Sequence, residues 1–167
     1  NIKLKLFLLS VLISVSNLSF ATDTDGDGLP DDWETANGRN PLVTDYMISV
    51  GERHICALDD NGVTCWGYNS EGQTDVPALS NPTQVSAGAY QTCALDDSGV
   101  TCWGYNYSGQ TDVPDTLSNP THVSAGGFHA CALDDNGVTC WGSNSEGQTD
   151  VPALSNPTQV SAGAYQT

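Results

Sequence analysis

Residues 23–34 read Asp-Thr-Asp-Gly-Asp-Gly-Leu-Pro-Asp-Asp-Trp-Glu. Carboxylates at the first, third and fifth positions, Asp23, Asp25 and Asp27, can converge on one point if the chain bends sharply, and Gly28 at the sixth position permits that bend. Leu29 then offers a backbone carbonyl, Asp31 an oxygen directly or through water, and Glu34 both carboxylate oxygens. Six acidic side chains in twelve residues repel one another unless a cation neutralises them. Hard oxygen donors in this number suit Ca²⁺ better than Mg²⁺, so Ca²⁺ is the expected cofactor. A solvated acidic linker is the competing reading. A lone site of this kind belongs to the weak extracellular class, roughly 10⁻⁴–10⁻³ M. A short exit helix is expected over 31–37, with Pro30 near its start and Gly38 after its end.

The second group with chemical potential is the cysteines. They fall in three pairs, Cys56/Cys65, Cys93/Cys102 and Cys131/Cys140, each bracketing eight residues. Zinc sites favour tighter spacing, whereas evenly paired cysteines in an exported chain read as disulfides. Six free thiols packed as small apolar residues are the alternative. Within the first pair, a two-residue turn at Asp60-Asn61 sets Cys56 directly across from Cys65, and a turn at Asn61-Gly62 makes them diagonal on the same face. The spacing leaves both registers open.

Catalytic groupings are missing from the sequence. There is no Gly-x-Ser-x-Gly, no phosphate loop and no His-Glu-x-x-His. His54 and His129 hold one repeat position that Gln91 takes in the copy between them, and a glutamine cannot replace a general base. Both histidines, and His122 in a loop before a strand, read as structural or surface polar groups. The doublets Asp59-Asp60, Asp96-Asp97 and Asp134-Asp135 recur at hairpin turns and read as turn formers. The chain is therefore not expected to be an enzyme.

Residues 1–21 carry Lys3 and Lys5, then an apolar run from Leu6 to Val15, then Ser19-Phe20-Ala21. This is the pattern of a secretory signal cleaved after Ala21, with a membrane anchor as the weaker reading because the run is short and broken by serines. Removal leaves Arg39 and Arg53 against twenty acidic residues, and no later segment could cross a membrane. So acidic a surface repels phosphate backbones and anionic lipid, which sets nucleic acid aside as a partner. The expected location is secreted, periplasmic or cell-surface.

The elements that must position these residues come from a repeat. Ile48-Ser49-Val50-Gly51 recurs as Val85-Ser86-Ala87-Gly88, Val123-Ser124-Ala125-Gly126 and Val160-Ser161-Ala162-Gly163, at offsets of 37, 38 and 37. Residues 56–92 and 131–167 differ only at Tyr68 versus Ser143, which points to duplication of a structural unit. In the second unit, strands are expected over 85–88, 91–95 and 100–103, with a tight turn over 96–99. A fourth strand over 109–113 is the further expectation, stopped by Pro114. No window has a helical period, and three or four short strands in under 40 residues fit one β-propeller blade, which must stack on neighbours.

The units resemble regulator-of-chromosome-condensation repeats of the compact kind found in secreted bacterial proteins. The matching residues are Val85 and Gly88, Cys93-Ala94-Leu95, the Gly-Val-x-Cys-Trp-Gly block from Gly99 to Gly104, and Gly109-Gln110. The resemblance spans 48–167, about 70% of the chain, and departs from the family where Gln-Thr-Asp replaces Gln-Leu-Gly. It implies an all-β propeller of seven blades, of which this chain holds about three, an incomplete ring. Residues 23–34, with Gly38, Asn40 and Pro41 behind them, resemble a thrombospondin type 3 calcium repeat. The expected organisation is a signal at 1–21, a calcium loop and helix at 22–44, and propeller repeats over 45–167, in units of about 48–84, 85–122, 123–159 and a fourth from 160.

Function is expected to be that of a binding scaffold for an extracellular protein or surface ligand. The positions that differ between repeats border glycines and turns, where loops emerge, and Tyr68, Tyr90, Tyr105, Tyr107 and Phe128 are the candidate anchors among them. Neutral drift at exposed sites is the competing account. Inhibition of an extracellular enzyme is the alternative function. Guanine-nucleotide exchange, raised by the resemblance, ranks last because an exported chain would not meet a cytosolic GTPase.

Overall fold

The computed structural model describes residues 22, 24, 31–36, 41–42, 47–59 and 61–167, with the backbone alone at 33 and 34. The expected signal segment and the ligand candidates Asp23, Asp25, Asp27 and Leu29 lie outside the described residues, as does the side chain of Glu34. A single helical turn and a half, α1, spans Asp31–Ala36, close to the expected exit helix. Two carboxylates open it, where the unpaired N–H groups of a helix start favour negative charge.

Three antiparallel sheets follow, each of three strands in sequence order. The first holds β1 (Met47–Val50), β2 (His54–Asp59) and β3 (Gly62–Gly67). The second holds β4 (Gln84–Ala87), β5 (Gln91–Asp96) and β6 (Gly99–Gly104). The third holds β7 (His122–Ala125), β8 (His129–Asp134) and β9 (Gly137–Gly142). Each is one blade. Among the described residues no helix is long and apolar enough to cross a membrane.

The hairpin register is set at the turn. Asp96 pairs with Gly99 and Asp134 with Gly137, leaving two-residue loops at Asp97-Ser98 and Asp135-Asn136. Gly99 sits at φ +106°, which a side chain would strain. The first aspartate of each doublet closes the turn: Asp96 Oδ1 accepts the Ser98 N–H at 2.8 Å. Its Oδ2 accepts the Ser80 N–H at 2.9 Å, and Asp97 Oδ2 accepts the Asn81 amide at 2.6 Å. The doublets Asp96-Asp97 and Asp134-Asp135 therefore form turns and also tie down the loop that entered their blade. His122, expected in a loop, opens β7, and its Nδ1 bonds the Gln84 amide of the blade before.

The expected fourth strand does not form. After β6, Asn106 donates its amide to Asp112 Oδ1 at 2.7 Å and accepts the Thr111 N–H at 2.9 Å. The Asp112 N–H closes on the Gly109 carbonyl at 3.1 Å. These bonds curl 109–113 into a turn, and Asn69 and Asn144 do the same in the other two units.

A three-stranded blade cannot bury both faces alone, and the core lies between blades. Cys56 and Leu58 of the first pack on Val85 and Ala87 of the second. Cys93 and Leu95 of the second pack on Val123, Ala125 and Trp141 of the third. Cys131 and Leu133 of the third pack on Val160, which the fourth repeat brings in. The neighbours approach most closely at the glycines before each hairpin: a Cβ on Gly88 would lie 2.4 Å from the Gly126 carbonyl oxygen. The same seam is closed by the Ala89 N–H donating to Gly126 O at 3.2 Å. On the far side of the first blade Ile48, Val50 and Trp66 stay exposed, whereas their counterparts Val85, Ala87, Val123 and Ala125, and the third blade's Trp141, are buried.

Candidate binding surface

Each hairpin ends by bringing two loop residues together. The residue before the middle strand accepts, on its carbonyl, the N–H of the residue after the third strand. Arg53 accepts from Tyr68 at 2.9 Å, Tyr90 from Tyr105 at 2.9 Å and Phe128 from Ser143 at 2.8 Å. Blade stacking then sets these couples side by side. All five aromatic residues expected to be anchors, Tyr68, Tyr90, Tyr105, Tyr107 and Phe128, meet in one continuous surface. Tyr90 is its hub, 6.5 Å from Tyr68, 6.2 Å from Tyr105 and 6.0 Å from Phe128 between ring centroids. Tyr105 links Phe128 at 6.0 Å to Tyr107 at 6.4 Å. These are edge-on, tilted and stacked contacts within the range where aromatic pairs attract. Tyr107 is 87% exposed and Tyr68 43% exposed.

Arg53 joins this surface, although its residue type had not marked it as a site residue. Its guanidinium carbon lies 5.5 Å from the Tyr68 ring centroid and 5.4 Å from that of Tyr90. Glu52 Oε1 stands 3.7 Å from Arg53 Nε with both side chains about half exposed, so this ion pair adds little. The signal available in the sequence was positional: Arg53, Tyr90 and Phe128 share one repeat position.

Below the surface lies a polar seam. His54 Nε2 meets Thr92 Oγ1 of the next blade at 2.7 Å, and that hydroxyl donates to the Gln73 carbonyl at 2.8 Å. The threonine proton is thus committed, so His54 must donate from Nε2, leaving Nδ1 unprotonated. Nδ1 of His54 and of His129 is buried without a partner among the described residues. Burial pushes both histidines below their usual value, the Gln166 backbone opposing it at His129. His129 repeats the arrangement with Thr167 and Gln148. In the middle blade, where Ala130 holds the repeat position of Thr92 and Thr167, Gln91 instead donates to the Gly126 carbonyl at 2.9 Å and the His129 carbonyl at 3.2 Å. The buried glutamines Gln73, Gln110 and Gln148, of which the sequence reading marked Gln110 only as part of the repeat motif, fold back onto the N–H two residues earlier. The Gln73 and Gln110 carbonyls take the indole N–H of Trp103 and Trp141. Their signal was the Gly-Gln doublet present in every unit.

The three cysteine pairs are disulfides, each within its own hairpin, with Cα atoms 4.1, 4.1 and 4.0 Å apart. Cys56 pairs directly with Cys65, Cys93 with Cys102 and Cys131 with Cys140, so the direct register holds and the diagonal one does not.

Of the expected calcium ligands, Asp31 is described in full. Its carboxylate accepts the Thr24 N–H at 2.7 Å and the Thr24 hydroxyl at 2.6 Å. These bonds hold its pKa below the usual aspartate value. Both Asp31 carboxylate oxygens are thus turned back onto the second position of the loop. Among the described residues no group of three or more His, Cys, Asp or Glu side chains is placed to hold a metal ion.

The sheet order, the glycine seams and the tryptophan-to-glutamine bonds together define the unit, and comparison with known families assigns it. Residues 47–73, 83–110 and 121–148 match the regulator of chromosome condensation (RCC1) repeat. Residues 47–148 hold three regulator of chromosome condensation repeats. Among solved structures, these RCC1 repeats superpose on the ectodomain of the receptor kinase CR4 from Physcomitrella patens, with a TM-score of 0.59 and 28% identity over 71% of this chain and 35% of that one. The CRINKLY WD40 ectodomain of the Arabidopsis thaliana receptor kinase ACR4 gives 0.54 and 26%, over 71% and 43%. Prp20p of Saccharomyces cerevisiae gives 0.60 at 22% identity, over 77% and 40%, a likeness of fold. The chain spans 35–43% of the length of these three proteins. Comparison with curated proteins finds no match. The three sheets are RCC1-type blades in a β-propeller-like arrangement.

Proposed function

We propose that this is an exported, calcium-binding RCC1-repeat scaffold that binds an extracellular partner through the aromatic surface and performs no catalysis of its own. The observation that carries the reading is the convergence of Tyr68, Tyr90, Tyr105, Tyr107 and Phe128, drawn from loops of three successive blades, into one surface. Framework positions stay constant between units while the residues of this surface change, as befits a constant support carrying a variable face. Exposed tyrosines on rigid strand ends supply contact area at low entropic cost. Three disulfides support an oxidising compartment. The plant structures at 28% and 26% identity are themselves ectodomains.

Calcium would be held by Asp23, Asp25, Asp27, Leu29, Asp31 and Glu34, the ion cancelling the mutual repulsion of the carboxylates. Two measurements test the proposal. Calcium titration followed by calorimetry should show one weak site that Asp23→Ala with Glu34→Ala abolishes; unchanged binding in that variant removes calcium from the reading. Cross-linking from a photoreactive residue at position 107, on protein recovered from culture medium, should capture a partner that the same residue at Ser145 does not. Equal capture at both positions would remove the aromatic surface from it.

A further inference from the structure

We infer that the aromatic surface recognises a cationic side chain, a guanidinium before an ammonium, presented by an exposed basic segment of the partner protein. The inference rests on the reading of that surface as the binding face. Arg53 already shows how such a group sits. Its guanidinium lies 5.5 and 5.4 Å from two tyrosine centroids, inside the distance of about 6 Å at which a ring quadrupole attracts a cation. In the next two blades the position of Arg53 belongs to Tyr90 and Phe128. The ring surface therefore continues through Tyr105 and Tyr107, which stack at 6.4 Å with an interplanar angle of 25°, and Tyr107 is 87% exposed.

Residues 54–167 supply no Lys or Arg to occupy that continuation, and they contain twelve Asp and Glu. The loops that carry Tyr68 and Tyr105 also carry Glu71 and Asp75, and Asp112. A field of this sign draws a basic segment in and speeds its arrival. An anionic partner would be repelled, and a neutral glycan would stack on the rings without using the charge. Guanidinium is favoured over ammonium because it is planar, less strongly hydrated and able to lie flat on a ring.

That preference separates ring recognition from charge attraction alone, which treats the two cations alike. Binding of hepta-arginine and hepta-lysine to the full chain is compared by calorimetry at fixed salt. Hepta-arginine should bind at least about threefold more tightly. Tyr105→Leu with Tyr107→Leu, checked for fold by circular dichroism, should erase the difference and leave the weaker binding that both peptides share. Equal binding of the two peptides, or a preference that survives in the double variant, overturns the inference. Should the double variant misfold, Arg53→Ala decides. Vacating the seat between Tyr68 and Tyr90 should strengthen hepta-arginine more than hepta-lysine, and an equal gain for both would mean charge alone. Cellohexaose is titrated in parallel. Tyr107-dependent binding of this neutral sugar, with no preference for arginine, would keep the surface as the binding face and overturn the cationic partner.

Discussion

Removing one disulfide should cost this protein a sizeable part of its stability, and the cost can be worked out before measurement. Cys93 and Cys102 are nine residues apart and close a loop of about ten. In the chain-entropy account such a closure withdraws about 2.7 kcal/mol of freedom from the unfolded chain. Cys93 is also fully buried and packs with Leu95, Val123 and Trp141. Shortening both cysteines to alanine adds roughly 1 kcal/mol of lost packing. Cys93→Ala with Cys102→Ala should therefore lose about 3–4 kcal/mol, and reduction of the unmodified protein, which opens all three bonds, about 8 kcal/mol if the three act independently. At about 3–5 °C per kcal/mol for a domain of this size, the Cys93/Cys102 variant should lower Tm by roughly 10–15 °C, and full reduction by more. Urea unfolding followed by tryptophan fluorescence and circular dichroism measures both. The separation is nine in all three pairs, so the analogous variants at Cys56/Cys65 and Cys131/Cys140 should share the entropic part. If reduction costs less than about 1 kcal/mol while the alanine variant costs 3, the bond acts through packing and the entropic reasoning is refuted.

Three further outcomes follow from the seams between blades. Gly88→Ala would put a Cβ 2.4 Å from the Gly126 oxygen and break the Ala89-to-Gly126 bond; overpacking plus one lost hydrogen bond should cost about 2–4 kcal/mol in urea unfolding. Trp103→Phe removes the indole donor to the Gln73 carbonyl and should cost about 1 kcal/mol or more, whereas Trp66→Phe, which has no such carbonyl among the described residues, should stay within about 0.5 kcal/mol by the same assay. Burial holds His54 and His129 below the ordinary histidine value of about 6.5, so in the window under that value the unfolded chain binds protons that the native one does not. Their stabilising contribution is complete above it and declines as pH falls towards their folded values. Tm should drop between pH 7.5 and pH 5, and His54→Gln with His129→Gln should flatten the slope; an equally steep drop in the variant would move the cause elsewhere.

Strand positions and the repeat were legible because duplication printed the same apolar and turn residues three times. Gly-Val-x-Cys-Trp-Gly recurs in each unit, and every copy became a strand. The 109–113 segment misled because Gly-Gln-Thr-Asp-Val has strand-like composition at its end, while what decides its shape is Asn106, three residues earlier, bonding across the turn. The histidines were read as polar groups of structure or surface, but their depth depends on Thr92 and Thr167, each 38 residues away in the neighbouring blade. Sequence could name the aromatic residues and not their meeting, since Tyr68 touches Tyr90 only once two blades have stacked. Asp31 bonding to Thr24 likewise needs the loop closed.

The way each blade is sealed has a consequence for folding. Leu58 and Cys56 are covered by Val85 and Ala87 of β4, before any hairpin of the second blade is needed. As the chain enters, N-terminus first, the compartment where it folds, a hairpin needs one four-residue strand, 84–87, to close its open face. That strand then serves as the first strand on which the following hairpin builds. Contacts reach across 38 or 39 residues rather than the whole chain, as between Ser49 and Ala87 or Ser86 and Ala125. Growth is therefore vectorial, each new blade acting first as lid and then as foundation, and a gene can gain or lose a unit of this length without rewriting the seams on either side.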